Sequence, residues 1–183
     1  MDEQNPYLAL LRRINVGGNN IIKMTDLKSF FEELEFTGVT TYIQSGNVLF
    51  KSDEKDKARL TDKIEKALSG RFNYNSRIVV ISHPQLKKII IDAPAGFGKE
   101  PSKFRYDVIF VKESLTTGEL IKKVSIRDGV DKAWQGETVL YFSRLIIRVT
   151  QSHLSRIISI PEYQYITIRN WNTTSRLLDL MEK

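Results

Sequence analysis

The chain has 183 residues, 41% of them hydrophobic and 27% charged, with a formal net charge of +6; this balance suits one large folded domain or two small ones and excludes a disordered chain. There is no cysteine, so disulfides, thiolate metal sites and a cysteine nucleophile are excluded, and His83 and His153 stand in no metal-ligand spacing. No apolar run approaches the roughly 20 residues that span a bilayer, and Met1-Asp2-Glu3-Gln4-Asn5-Pro6 lacks the basic and apolar regions of a signal peptide, so no membrane partner and a cytoplasmic location are expected.

Tyr7–Ile14 reads as a first strand that opens directly into the polar loop Asn15-Val16-Gly17-Gly18-Asn19-Asn20. Thr25 then reads as the N-cap of a helix whose Leu27, Phe30, Phe31 and Leu34 recur at i, i+3, i+4 and i+7. Gly38 stands where a helix exit uses a glycine. Thr40–Ile43 and Val48–Lys51 read as second and third strands, joined by the turn Gln44-Ser45-Gly46-Asn47. Asp53 is placed to cap a second helix buried through Leu60, Ile64, Ala67 and Leu68, and Ile78–Ile81 reads as a fourth strand. The order β-α-β-β-α-β over residues 1–82 predicts a ferredoxin-like half. Right-handed crossovers put the third strand antiparallel between the first and second, so the two polar loops meet at one edge of the sheet.

Residues 83–183 predict a second, smaller α+β half packed closely on the first. A helix starts at Ser82-His83-Pro84 and runs to about Ile91, and Ala93 to Lys103 reads as a long loop. Tyr106–Val111 reads as a strand, Thr116–Lys123 as a helix, and Thr138–Phe142 and Leu145–Val149 as two strands. In the second of these Leu145, Ile147 and Val149 share one face, while Arg144 and Arg148 share the other. A short helix at Ser152–Ser159, a strand at Tyr165–Ile168 and a helix from about Thr174 to Met181 complete the α+β reading.

The positive charge is concentrated in the second half: residues 1–82 carry 12 Lys/Arg against 11 Asp/Glu, and residues 83–183 carry 16 against 11. Between Thr138 and Leu178 the one acid is Glu162, among Arg144, Arg148, Arg156, Arg169 and Arg176. Such an excess favours an anionic partner. The Val16–Asn20 loop can hold an anion on backbone N–H groups before a helix, or its glycines can simply permit a sharp exit from the strand; Arg12, Arg13 and Asn15 add donors beside it. Gly and Asn in Gln44–Asn47 are what a hairpin demands, and Ser45 lacks the frame of a nucleophile elbow. In Arg169-Asn170-Trp171-Asn172-Thr173-Thr174, Asn172 or Thr173 can cap the last helix and Trp171 anchor it, while Arg169 is either structural or holds a phosphate or carboxylate.

Three further features read as structural. Gly96-Phe97-Gly98-Lys99-Glu100 fails the phosphate-loop pattern at Ala93 and Glu100 and reads as a surface loop. His83 and His153 read as helix-start residues without an acid or nucleophile partner, so no triad is expected. The element order also fits an RNA-binding sheet, but Leu8 and Leu10 on one face and Ala9 and Leu11 on the other leave no face for base stacking, and the third strand offers only Phe50.

Three motifs in order, Tyr7–Arg12 into Ile14-Asn15-Val16-Gly17-Gly18, Thr41–Val48, and Thr167–Trp171, resemble the bacterial family catalogued as domain of unknown function 1697, nearly end to end. The resemblance implies a compact α+β protein whose first part is ferredoxin-like, and it brings no established activity, cofactor or catalytic residue. Two positions depart from the family's pattern: Arg13 stands where it usually has Gly, and His153 where it tends to have Lys. The sequence thus leads to a binding protein with no cofactor and no metal. Its phosphate-bearing ligand or nucleic acid would sit in a cleft between the halves, held by Arg12, Asn15, Asn19, Gln44, Asn47 and Arg169. A basic Arg144 and Arg148 surface meeting an acidic protein partner is the second reading. A metal-independent enzyme acting on a small polar substrate, which lacks an evident general base, is the third.

Overall fold

In the computed structural model, which describes residues 4–15, 20–73 and 75–183, Leu8, Ala9, Leu10 and Leu11 have no exposed surface. A strand with four consecutive apolar residues is one covered on both faces, and β1 (Asn5–Leu11) is the strand around which the first sheet is laid out. It pairs antiparallel with β3 (Asn47–Ser52) on one side and β4 (Ile78–Ser82) on the other, and β3 pairs antiparallel with β2 (Thr37–Tyr42). The order β2-β3-β1-β4 puts the third strand between the first and second. The chain forms two compact units, Met1–Leu86 with Leu180–Lys183, and Lys87–Asp179; this sheet belongs to the first.

Helices α1 (Met24–Glu33) and α2 (Lys57–Phe72) bury Leu27, Phe30 and Phe31, and Leu60, Ile64 and Leu68. These share one core with Tyr7, Ala9, Leu11, Val48 and Phe50 of the sheet. Phe50 is its centre, with ring centroids of Phe36 and Phe31 at 4.5 and 5.5 Å; each such burial contributes about 1.5–3 kcal/mol.

The helix ends differ from expectation. Thr25 lies inside α1, whose N-cap is Lys23 without a side-chain bond, because the residue before it, Ile22, is already held through its backbone by Asn15. At the exit the left-handed residue is Glu35 (φ 67°), while Gly38 (φ 59°) lies within β2 where the pairing with β3 shifts register between Thr37 and Thr40. Gly38 therefore serves a bulge rather than a helix end. The cap of α2 is Asp56, not Asp53: its carboxylate accepts from the N–H groups of Ala58 and Arg59. The three residues from Asp53 to Lys55 are needed for the chain to turn out of β3.

The second unit holds the sheet β6-β7-β5-β8, all antiparallel, from β5 (Phe104–Val111), β6 (Asp131–Gln135), β7 (Val139–Leu145) and β8 (Ile166–Asn170). The remaining helices are α3 (His83–Ile91), α4 (Thr117–Ile121) and α5 (Trp171–Met181). Ile109, Val111, Leu140, Phe142 and Ile166 of this sheet share one core with Leu120 of α4 and with Leu154 and Ile157. Thr116 and Glu119 form a reciprocal capping box on α4.

Here the sequence reading needs three corrections. β6 is an additional strand at the sheet's edge. The alternation in Leu145–Val149 does not make a strand: β7 ends at Leu145 because its partner β5 begins opposite at Phe104, and Ile146–Gln151 coils into 3₁₀ turns with Ile147 86% exposed. Further 3₁₀ turns follow at Leu154–Ser159 and Pro161–Tyr165. Finally α5 is capped by Asn170, whose Oδ1 accepts the N–H of Thr173 at 2.7 Å, and not by Asn172 or Thr173.

The cap assignment is directly testable. Urea unfolding should show Asp56→Ala destabilised by about 1 kcal/mol, with Asp53→Ala close to the parent protein; the reverse ranking contradicts the assignment.

Candidate functional site

Where β1 leaves its sheet, its backbone is tied to two other segments. Leu11 N–H donates to the Gly46 carbonyl at 2.8 Å, and Arg12 N–H to the Arg77 carbonyl at 3.1 Å. Asn15 completes the arrangement. Its Nδ2 donates to the carbonyls of Ile22 (2.9 Å) and Gln44 (3.0 Å), and its Oδ1 accepts the N–H of Ile22 at 2.8 Å. Asn20 reinforces it, donating from Nδ2 to the Arg13 carbonyl at 3.1 Å. On the facing turn Asn47 is fully buried and donates to the Tyr42 carbonyl and to Ser45 Oγ at 2.9 and 3.0 Å. The exit of β1 and the β2–β3 turn are thus one structure, as the strand order requires.

The backbone of that structure is strained. Arg13, Asn15, Asn20 and Ile43 have φ of 55°, 53°, 49° and 50°, and Gly46 has 76°. Asn tolerates this region, but a β-branched residue there, Ile43, is an outlier that persists only where its surroundings impose it. Gly46 also has no room for a side chain: an added Cβ would lie 2.7 Å from Ile14 Cδ1 and 2.8 Å from Leu11 Cβ.

The sequence-derived site residues therefore fall into different roles. Arg12, Asn15, Gln44 and Asn47 come together at this sheet end. Asn15 and Asn47 bond to the chain's own loops, whereas Gln44 and Arg13 are exposed and Arg12 is half-buried. Asn19, with Val16, Gly17 and Gly18, lies outside the described residues. Arg169 belongs to the second unit, where it is 8% exposed and donates to Thr167 Oγ1 and the Ile168 carbonyl, each at 2.9 Å. Burial pushes its guanidinium pKa down to about 10.

Other features of the second unit depart from their reading. Arg144 and Arg148 do not form a basic strand face: Arg144 pairs with the buried Asp107 at 2.9 Å, and Arg148, beyond the strand end, donates to Gln151 Oε1. Burial raises the Asp107 pKa and outweighs the pull of Arg144. The Gly96–Glu100 segment is anchored rather than merely superficial. Phe97 is buried edge-on among Tyr106, Trp134, Tyr141 and Trp171, and a Cβ on Gly98 (φ 79°) would meet Trp171 Nε1 at 2.3 Å. Both histidines have a polar neighbour. His153 Nδ1 lies 3.0 Å from Ser125 Oγ, and His83 Nε2 lies 3.4 Å from Glu182 Oε1. His153 reaches Asp131 through its backbone N–H, not its ring, so the three side chains are not a triad. A groove of about 550 Å³ along β6 was not foreseen, since β6 itself carries no strand-like pattern. Among the described residues no group of three or more His, Asp and Glu can hold a metal, and no helix is long and apolar enough to cross a membrane.

The profile of the family described as "Protein of unknown function (DUF1697)" matches residues 4–141. The chain belongs to that family. The matched span includes both loops of the sheet end and β6, while Arg169 lies beyond it. The solved structure of a conserved bacterial protein from Streptococcus pneumoniae is similar over 98% of this chain and 99% of that one, with a TM-score of 0.87 and 25% identity. No curated protein matches the chain.

Because Gly46 meets both a left-handed φ and a closed space, Gly46→Ala should lose about 2 kcal/mol or more in urea unfolding. An unchanged midpoint would show that the two loops are not packed as described.

Proposed function

We propose that the loop end of the first sheet, which we read as a ferredoxin-like half, binds a phosphate-bearing anion, either a small molecule or the backbone of a nucleic acid. The observation that carries this reading is the charge of the segments joined there. Residues 11–15, 20–23, 43–47 and 75–78 contain Arg12, Arg13, Lys23 and Arg77 and not one Asp or Glu. Their backbones are linked to one another by Leu11, Arg12, Asn15 and Asn20. Loops held this way present cations without first having to be ordered, which lowers the cost of binding.

In this reading Arg12, Arg13 and Gln44 face the ligand, Asn15 and Asn47 hold the loops, and Arg169 serves the second unit's own fold. The protein works in the cytoplasm, where nucleotides and nucleic acids abound. Binding is favoured over catalysis because the same four segments also lack His and Tyr, and the carboxylate that reaches them from α2, Glu65, is engaged by the Ile78 N–H at 2.8 Å.

Titration with ATP, pyrophosphate and a labelled single-stranded oligonucleotide tests the reading. At least one should bind, and the double substitution Arg12→Ala with Arg13→Ala should weaken it by about tenfold or more, as expected for lost charge-assisted hydrogen bonds. A steep fall of affinity with salt identifies nucleic acid, and a shallow one a small anion. Equal binding by parent and double variant, or none by either, refutes the site.

A further inference from the structure

The groove along β6 lies wholly in the second unit and shares no residue with the loop end of the first sheet. Its floor follows from strand register. Val130 accepts from Leu145 N–H at 2.9 Å, and Leu145 is paired with Phe104, so these three apolar residues form a row across the strands. Residues two apart on a strand share a face, which places Lys132 and Trp134 on the same side as Val130. Trp134 forms an aromatic wall, held edge-on by Phe97 at 5.9 Å. The volume, about 550 Å³, falls in the range of small-molecule sites.

Three charged residues complete the lining, two of them exposed. Lys132 is exposed on β6, and Asp128 is exposed in the turn that Gly129 (φ 69°) makes into it. Neither makes an ion pair with the other or with any described residue. By contrast Asp131 between them is buried, with Oδ2 accepting from the N–H groups of Arg127 and His153. The groove therefore offers one exposed cation and one exposed anion above an apolar floor, with the Asp131 carboxylate buried beside them and held by backbone N–H groups. A neutral apolar ligand would use the floor alone, and a singly charged one would leave the opposite charge unanswered. A zwitterion with an apolar body answers both.

We propose that this groove binds an amino acid or short peptide with an apolar side chain. Its ammonium lies at Asp128, its carboxylate at Lys132, and its side chain over Phe104, Leu145 and Trp134. Calorimetry of the full chain with L-phenylalanine and with the dipeptide phenylalanyl-alanine tests this, because the two differ in the spacing of their charges. One should bind with unit stoichiometry and shift the Trp134 indole N–H resonance. Phenethylamine and 3-phenylpropanoate, each lacking one charge, should bind about tenfold more weakly. Lys132→Gln should weaken the zwitterion by a similar factor and leave phenethylamine unchanged; Asp128→Asn should spare 3-phenylpropanoate instead. Both side chains are exposed, so neither variant threatens folding. Failure of both zwitterions to saturate, singly charged analogues binding as well as zwitterions, or variants binding like the parent would each overturn the proposal. Arg12→Ala with Arg13→Ala should leave this binding intact, which keeps the outcome separate from that of the anion site.

Discussion

The carboxamide of Asn15 is the constraint on which the first unit's loop end depends. Three of its hydrogen bonds join three pieces of chain: the exit of β1 that carries Asn15 itself, the approach to α1 at Ile22, and the β2–β3 turn at Gln44. Each backbone group it meets would otherwise need its own partner away from the ladders of the sheet. The same contacts account for the conformations around them. Non-glycine residues with left-handed φ, or in comparably sparse regions, cost on the order of 1–3 kcal/mol when strained, and Arg13 and Ile43 adopt it beside Asn15 and Gln44. A loop fixed at both ends by side-chain bonds can hold such residues where a free one would relax.

That rigidity gives the cationic residues their meaning. Arg12 and Arg13 follow a strand with no exposed surface over its last four residues, so their positions are set by a packed core and not by a mobile tip. The second unit treats its arginines differently. Arg169 and Arg144 are turned inward, one onto Thr167 and a carbonyl, the other onto Asp107. Burial raises the Asp107 pKa despite Arg144, so desolvation of the carboxylate outweighs the pull of its partner. An arginine-rich sequence stretch is therefore not in itself a basic surface.

Much of the first unit was legible because its signals are periodic. Leu27, Phe30 and Phe31, and Leu60, Ile64 and Leu68, bury the faces their spacing requires, and the strand order brings Asn15 against the β2–β3 turn. Caps were misplaced because Asp53 and Asp56, or Asn170 and Asn172, are chemically equivalent on paper and differ only in where the preceding strand ends. β6 was illegible for a physical reason: an edge strand of Asp, Lys, Ala, Trp and Gln has one side without a neighbour and need not be apolar. Leu145–Val149 misled in the opposite way, since alternation is a property of side chains and a strand also needs a partner backbone. Asn15 and Asn47 could be picked out as polar loop residues, but no spacing reveals that their amides point back into the chain.

The most direct measurement is the stability of Asn15→Asp against that of the parent as a function of pH. The substitution keeps the size, the tolerance of left-handed φ and the acceptor for Ile22 N–H, but replaces two donors with a carboxylate oxygen facing the carbonyls of Ile22 and Gln44. That repulsion raises the carboxyl's folded-state pKa above its unfolded value near 3.9, so the variant should match the parent most closely below the unfolded value and fall behind as pH rises through the folded one. At neutral pH the deficit should be about 2 kcal/mol. Equal stability of the two proteins across the whole pH range would contradict the account, since the carboxamide would then not be what holds the loops together.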